Sequence, residues 1–587
     1  MLKLAKKPSR ALNIMAVLFV AAFAIFGVTY ILRSSAATNA NGCVGVNIPA
    51  GSDIQAAINA NGINTTFCIQ PGFFRITNVI TPKAGSTLWG HPGTIINGAK
   101  PLTSWTTSGS TWYTSGVLPP DYVENNYSVC EDTTTNLCKR AERVYRNNVL
   151  LTSVATLAEV GPGKFYSDYT ANRVYVGDQP SGATMELSSV RRAITAPQAN
   201  ITIRDLTVEK FATLAQRGAI EINGAGWTVK NTELRFNHGA GLHIIGGGSK
   251  VTGNYIHHNG QTGITAWNNS GTLIDRNVIS YNNTDGFWLN DGENGGIKIT
   301  KNAMTISNNY IHHNRGMGVW ADIDNRDVII SGNYISDNSA DGVRYEISYD
   351  GLITGNILVR NGFDRGRSAD GVYLGAGAAV LVNNSTNVIV EKNSFYDNDK
   401  GIGLVEANRG AGIFGTWELK DVTVRHNNVS LTGPAQHGLV QYVGNTGYYT
   451  SKGNTFTGNS YHLSPLTSNR FQWMNGLRTP AQWQAYGNDT AASGSKFDSV
   501  IPTPPAPPAL VVGPQGGTTA TATPAPTASP TPSTTSKGDI DGNGKINVID
   551  LSMLLSSWGT NSAKADIDRN QIVNVLDLSI LLVNWTK

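Results

Sequence analysis

Charge is scarce in this chain: Lys, Arg, Asp and Glu make up 15% of its 587 residues. So little charge excludes a charged coiled coil, and an apolar share of 40% excludes a wholly disordered polymer. The net charge is +4, and Lys3, Lys6, Lys7 and Arg10 at the N-terminal end account for much of it, so no basic stripe for nucleic acid remains. Cysteine is rare as well, with four residues and no metal-ligand spacing. Cys43 and Cys68 flank one segment and Cys130 and Cys138 a short loop. In an exported protein each pair would be a local disulfide, whereas in a cytosolic one all four would be unrelated buried thiols. What is abundant is glycine, 64 residues of it, which together with the length points to a turn-rich β architecture that is elongated or multidomain.

Export is signalled at the start. Residues 1–11 are basic, and residues 12–32 form an uncharged apolar run long enough to span a bilayer as a helix. This segment is expected to be a transmembrane anchor with a cytoplasmic basic flank, or a signal peptide cleaved near Ser35, Ala36 and Ala37. Either outcome places the rest of the chain outside the cell.

The region after it repeats itself. Asn254-Tyr-Ile-His-His-Asn259, Asn277-Val-Ile-Ser-Tyr-Asn282, Asn309-Tyr-Ile-His-His-Asn314, Asn333-Tyr-Ile-Ser-Asp-Asn338 and Asn356-Ile-Leu-Val-Arg-Asn361 recur mostly at 22 to 24 residues. Short alternating runs separated by Gly and Asn are strand and turn signals. A unit of this size with about three short strands suits one coil of a solenoid. Over residues 43–465 the pattern resembles right-handed parallel β-helix proteins, which implies an all-β fold with the domain occupying 43–500. Ser52 to Ala60 reads as an amphipathic helix covering the open first coil, and residues from about 100 to 190 break the period as an inserted β subdomain. His257, His258, His312 and His313 are expected at turns beside a ladder of Asn259, Asn282, Asn314, Asn338 and Asn361 rather than at a metal.

Residues 501–536 are rich in Pro and Thr and read as a solvated, extended linker. Beyond it, in residues 537–587, two copies of an acidic loop followed by an apolar stretch lie 27 residues apart. In the first, Asp539, Asp541, Asn543, the Lys545 carbonyl and Asp550 fall at Ca²⁺-ligand positions; in the second, Asp566, Asp568, Asn570, the Ile572 carbonyl and Asp577 do. The second loop has Gln571 where a Gly is expected. The duplication resembles a type I dockerin, an EF-hand-like α-helical module, and implies calcium and a cohesin-like protein partner. Val548, Ile549, Val575 and Leu576 would border that partner.

Candidate chemistry gathers where the coils carry aromatic and acidic residues. Aligning Gly263-Ile-Thr-Ala-Trp267, Gly286-Phe-Trp-Leu-Asn290, Gly318-Val-Trp-Ala-Asp322, Gly342-Val-Arg-Tyr-Glu346 and Gly371-Val-Tyr-Leu-Gly375 sends alternate side chains outward. One outward column is then Trp288, Trp320, Arg344 and Tyr373; the next is Trp267, Asn290, Asp322 and Glu346. Asp322 and Glu346 would sit on neighbouring strands about 4.8 Å apart, close to the carboxyl spacing of retaining glycosidases. Gly-Val-Trp-Ala-Asp322 and the downstream Gly-Val-Arg-Tyr-Glu346 resemble the β-helix β-xylosidases among retaining glycoside hydrolases. That resemblance implies Asp322 as nucleophile, Glu346 as acid/base, and no cofactor for hydrolysis. Asp324 is a further candidate nucleophile or metal ligand, and Asp364, Arg365, Arg367 and Asp370 are candidate substrate contacts in an enlarged loop.

Two other readings stay open. In one, a polysaccharide lyase or epimerase holds Ca²⁺ with Asp322, Asp324 and Glu346 and uses Arg344 or a lysine as base. In the other, the aromatic column of a surface protein binds glycans without cleaving them.

Overall fold

The computed structural model describes residues 42–514, apart from 125–128, 291, 363–373 and 433–435, together with 519, 520 and scattered positions from 540 to 581. It forms two units, residues 1–521 and 522–587. The first is a parallel β-helix: three sheets of 13, 13 and 12 strands, in which each strand pairs with its equivalent one coil away. The sheets run from Val46–Ile48 to Thr455–Thr457, from Gly72–Arg75 to Lys496–Asp498, and from Ile194–Ala196 to Gly476–Arg478. Only the closing pair of the third sheet, Phe471–Trp473 with Gly476–Arg478, is antiparallel.

Alternation explains the core. One coil sends Ile330, Ile335, Val343 and Tyr345 inward from its three sheets, and all are fully buried. Each stacks on the like residue of its neighbours: Ile306 on Ile330 on Ile353, Ile311 on Ile335 on Leu358, and Val319 on Val343 on Val380. The core is therefore a set of stacked, mainly aliphatic rows along the axis.

Turns between sheets must point backbone groups inward, and asparagine satisfies them. The Asn309 amide nitrogen donates to the Ile274 carbonyl at 3.0 Å and to Asn333 Oδ1 at 2.9 Å, and the Asn309 backbone N–H donates to the same oxygen at 3.0 Å. Asn333 repeats this one coil on with Ile306 and Asn356. A second ladder at the next corner links Asn259, Asn282, Asn314, Asn338 and Asn361. His258 and His313, with φ of 51° and 53°, supply the left-handed turn residue just before this second ladder. Their rings stack on Tyr281, and His257 and His312 stack on Tyr255 and Tyr310. Among the described residues no group of His, Cys, Asp and Glu is arranged to hold a metal.

The first coil is covered by a helix, Ile54–Ala60, capped by Asp53, whose carboxylate accepts from the Ala56 N–H; Ile54 and Ile58 face the core. Cys43 and Cys68 are joined there by a disulfide, and Cys130 and Cys138 are joined in a loop. Between Ala99 and Ser188 the chain leaves the solenoid for a four-stranded antiparallel sheet and a five-stranded sheet with one parallel pair, with their own core of Phe165, Val174, Val176 and Leu187.

The linker departs from expectation in its first part. Residues 501–514 are not wholly in solvent, because the segment touches the outer face of the second sheet at Pro505, Leu510, Val512 and Gly513. Val512 packs among Val278, Tyr310, Tyr334, Val359 and Tyr396, Tyr334 donates to the Pro505 carbonyl at 2.9 Å, and the Gly513 N–H donates to the Gly253 carbonyl at 2.9 Å. An outward row of tyrosines is apolar enough to retain a proline-rich strand whose own composition gave no sign of packing.

Residues 12–32 lie outside the described residues, and among those described no helix is long and apolar enough to cross a membrane. In the second unit, helix Val548–Ser556 and a small core of Ile540, Leu554, Ala565, Val573 and Leu581 are described. Of the candidate calcium ligands only Asp550 is among these residues. It is buried, and its Oδ1 accepts from the Ile540 N–H at 2.7 Å.

Two outcomes follow. Asn333→Ala removes the shared acceptor of the Asn309 donors and a donor to Ile306, leaving buried groups that cost about 1–3 kcal/mol each. Urea unfolding should register a loss of about 3 kcal/mol, far above that of an exposed Asn. Burial, and then His313, depresses the His312 pKa to about 3, against about 6.5 in an unfolded chain. A depressed histidine contributes stability that is present above about 6.5 and lost as the pH falls toward 3, so the urea midpoint should drop across that window, and less steeply in His312→Gln.

Candidate active site

The outer face of the third sheet is where polar chemistry collects. Asp322 pairs directly with Glu346 on the adjacent strand, and Trp320 with Arg344. Neighbouring parallel strands are about 4.8 Å apart, so the two carboxylates leave the sheet side by side. Both point away from the core yet are covered, each at most 6% exposed.

The neighbours of this pair differ from those expected. Lys298, not Trp288, precedes Trp320 in its column, and Leu381, not Tyr373, follows Arg344. The reason is visible in the ladder: Asn282 bonds Asn314 across 32 residues and Asn361 bonds Asn398 across 37. Each long interval is an excursion: the coil strands are Gly295–Thr300 and Ala378–Asn383, and the glycine motif at 286 falls before the first of them. Trp288 is consequently buried against Cys130, Cys138 and Ala215, where it forms an isolated bridge with Cys130. Asn290 accepts from the Ser339 hydroxyl at 2.5 Å, away from the column. Tyr373 and the loop bearing Asp364, Arg365, Arg367 and Asp370 lie outside the described residues.

The true second column is Trp267, paired with Thr300, then Asp322, Glu346 and Asn383. Lys298 donates to Asp322 Oδ2 at 3.0 Å, also pairs with Glu293, and sits 3.8 Å from the Trp320 ring centroid. Burial is the main force raising the Asp322 pKa; Lys298 opposes it and Glu346 adds to it.

Glu346 is bound at both oxygens. Oε2 accepts from Trp320 Nε1 at 3.1 Å, and Oε1 accepts from Asn383 at 3.2 Å and Arg409 at 2.5 Å. Trp320 is thus not an exposed stacking surface: Lys298 and Arg344 flank its ring and its N–H orients Glu346. Arg344 itself is tied to buried Asp341 at 2.6 Å. It is a structural cation here, and not a free contact for substrate.

Asp324 is drawn elsewhere. After Ile323, both residues take left-handed φ near 55°, turning the chain out of the strand. Its Oδ1 accepts from the Ile413 N–H at 3.2 Å and from Trp417 Nε1 at 3.1 Å. Asp324 therefore anchors the short hairpin Ala411–Thr416, whose base also carries Arg409. Asp322, Asp324 and Glu346 each have separate partners, so they do not form the shared calcium site that the lyase reading requires.

A cavity of about 430 Å³ adjoins the pair through Lys298, which lines it and binds Asp322, although neither carboxylate lines it. Trp267, Thr265, Thr300 and Lys298 floor it, and Gln216, Arg217, Tyr122 and Glu124 wall it, the last two from the inserted segment. Trp267 and Tyr122, each 49% exposed, are the open aromatics of the cavity. Lys298 was within reach of sequence reasoning once the interval of 32 residues is taken as an excursion. Arg409 carried no local signal, since a hairpin brings it from 63 residues beyond Glu346.

A family model described as the right-handed beta helix region matches residues 193–304 and 296–472, a little under half of the chain. No curated protein matches the sequence. Among solved structures, the complex structure of XylC with xylose is similar at 15% identity, covering 70% of this chain and 68% of that one, with a TM-score of 0.46. The A-module of mannuronan C-5 epimerase AlgE4 from Azotobacter vinelandii is similar at 15% identity, covering 69% and 98%, with a TM-score of 0.37. The catalytic unit of a thermostable GH87 alpha-1,3-glucanase from Streptomyces thermodiastaticus strain HF3-3 is similar at 14% identity, covering 80% and 71%, with a TM-score of 0.41.

The contact between Lys298 and Asp322 has a direct readout. Lys298→Met removes the cation that favours the charged carboxylate, so the Asp322 pKa should move further up. Carboxyl carbon titration by NMR measures it, and a downward move would contradict the charge arrangement described.

Proposed function

We propose that this chain is an extracellular glycoside hydrolase that acts by retention, with Asp322 as nucleophile and Glu346 as acid/base. The observation that carries the reading is the register pairing of Asp322 with Glu346 on adjacent strands beside a cavity floored by exposed Trp267. Carboxyls of retaining enzymes stand about 5–5.5 Å apart, which the strand spacing approaches. Lys298 keeps Asp322 available as an anion against the cost of its burial. As acid/base, Glu346 enters the reaction carrying a proton, with Arg409 displaced by the sugar. Glu346 then gives the proton to the glycosidic oxygen as Asp322 bonds the anomeric carbon and the leaving alcohol departs. In the second half Glu346 takes a proton from water, whose oxygen replaces Asp322.

The disulfides Cys43–Cys68 and Cys130–Cys138 and the apolar run at 12–32 support an exported or membrane-anchored location. The duplicated C-terminal loops support calcium binding and docking to a cohesin-like protein, on the strength of their ligand spacing alone. Residues Asp539, Asp541, Asn543, Lys545 and Asp550 would hold one ion, and Asp566, Asp568, Asn570, Ile572 and Asp577 the other.

A panel of aryl glycosides and polysaccharides tests the reaction. Glu346→Gln should lower turnover by about 10²–10⁴-fold while leaving binding intact, and azide should restore cleavage of aryl glycosides with retained configuration. Asp322→Asn should be equally inactive and not recover in this way. Unchanged product formation by Glu346→Gln would sink the assignment, and an unsaturated product absorbing in the ultraviolet would move it to a lyase.

A further inference from the structure

A second cavity, of about 450 Å³, lies on the other side of the strand ends that carry the pair. Successive residues of the same coils divide between the two spaces: Trp267 and Thr300 line the first, Asn268 and Lys301 the second. Lys298, in the first, holds Asp322, while Asp324, two residues later, lines the second. Each has the volume of a typical ligand pocket, and together they flank the pair.

The chemistry of the second space is that of a sugar site. Phe414, at the tip of the hairpin anchored on Asp324, is 46% exposed. Tyr349 packs against it edge-on at 5.5 Å and Arg326 lies over its ring at 5.0 Å, so a partly open aromatic ring is held in position. Asn268 and Asp327 are exposed and line the cavity, and both carry acceptor oxygens. Sugar hydroxyls can donate to acceptors of this kind. Two acids, Asp324 and Asp327, line the space against Lys301 and Arg326, and Arg326 also binds Asp350 at 2.8 Å. No excess of positive charge awaits an acidic group.

We propose that this cavity is a further glycan subsite for a neutral sugar unit, packed on Phe414 and donating hydroxyls to Asn268 and Asp327. The chain of the substrate would then run across Asp322 and Glu346 instead of ending at them. This rests on the proposed site but not on its chemistry, because binding alone can test it.

Isothermal titration of Glu346→Gln protein with neutral linear gluco-, xylo- and manno-oligosaccharides, from disaccharide to hexasaccharide, separates the possibilities. Affinity should rise with length, and adding Phe414→Ala should weaken the longer ligands about tenfold while sparing the disaccharides. Phe414→Trp should preserve the gain with length, which a folding defect would not. Equal weakening at every length, no weakening, or no binding of any member overturns the subsite. Should the length effect appear while native protein cleaves nothing in the panel, the hydrolase reading fails and the subsite stands.

Discussion

Parallel pairing between successive coils is the constraint on which everything else rests. A single coil of three short strands cannot bury its apolar face or satisfy its corners. Only when Ile306, Ile330 and Ile353 stack, and Asn309 finds Asn333, does each coil acquire a core and partners for its turns. The cost of leaving a buried amide unpaired is borne by the next coil, so register errors are penalised at two corners at once.

That same rigidity makes the outer face useful. Because the inner rows cannot shift, the outward residues of adjacent strands are held at a fixed spacing, and Asp322 and Glu346 inherit it. Function-bearing variation is confined to the excursions between ladder positions. One excursion buries Trp288 under the disulfide loop, and another sends out the hairpin that brings Arg409 to Glu346 and Phe414 over the second cavity. Each acid in this face has a cation partner: Asp322 and Glu293 share Lys298, Asp341 has Arg344, and Glu346 has Arg409. Such pairing lets a face with few charged residues be both covered and polar.

The packed tyrosine row has a similar logic. Tyr310 and Tyr334 point outward from the second sheet, where solvation would be the default, but the segment around Val512 covers them. The boundary between solenoid and linker is therefore later in the chain than its proline content implies.

The sequence by itself determined the fold, because a period of 22 to 24 residues with alternating apolar positions admits few arrangements, and it determined the pairing of Asp322 with Glu346, since their separation of 24 residues is one coil. It misled wherever the period was broken. The glycine motifs at 286 and 371 match the repeat in composition, yet backbone pairing, which no local pattern encodes, assigns the coil strands to Gly295–Thr300 and Ala378–Asn383. Lys298, Asn383 and Arg409 became neighbours of the pair only through that pairing and the hairpin. Contacts across 24 to 63 residues depend on how excursions fold back, and tertiary structure alone decides that.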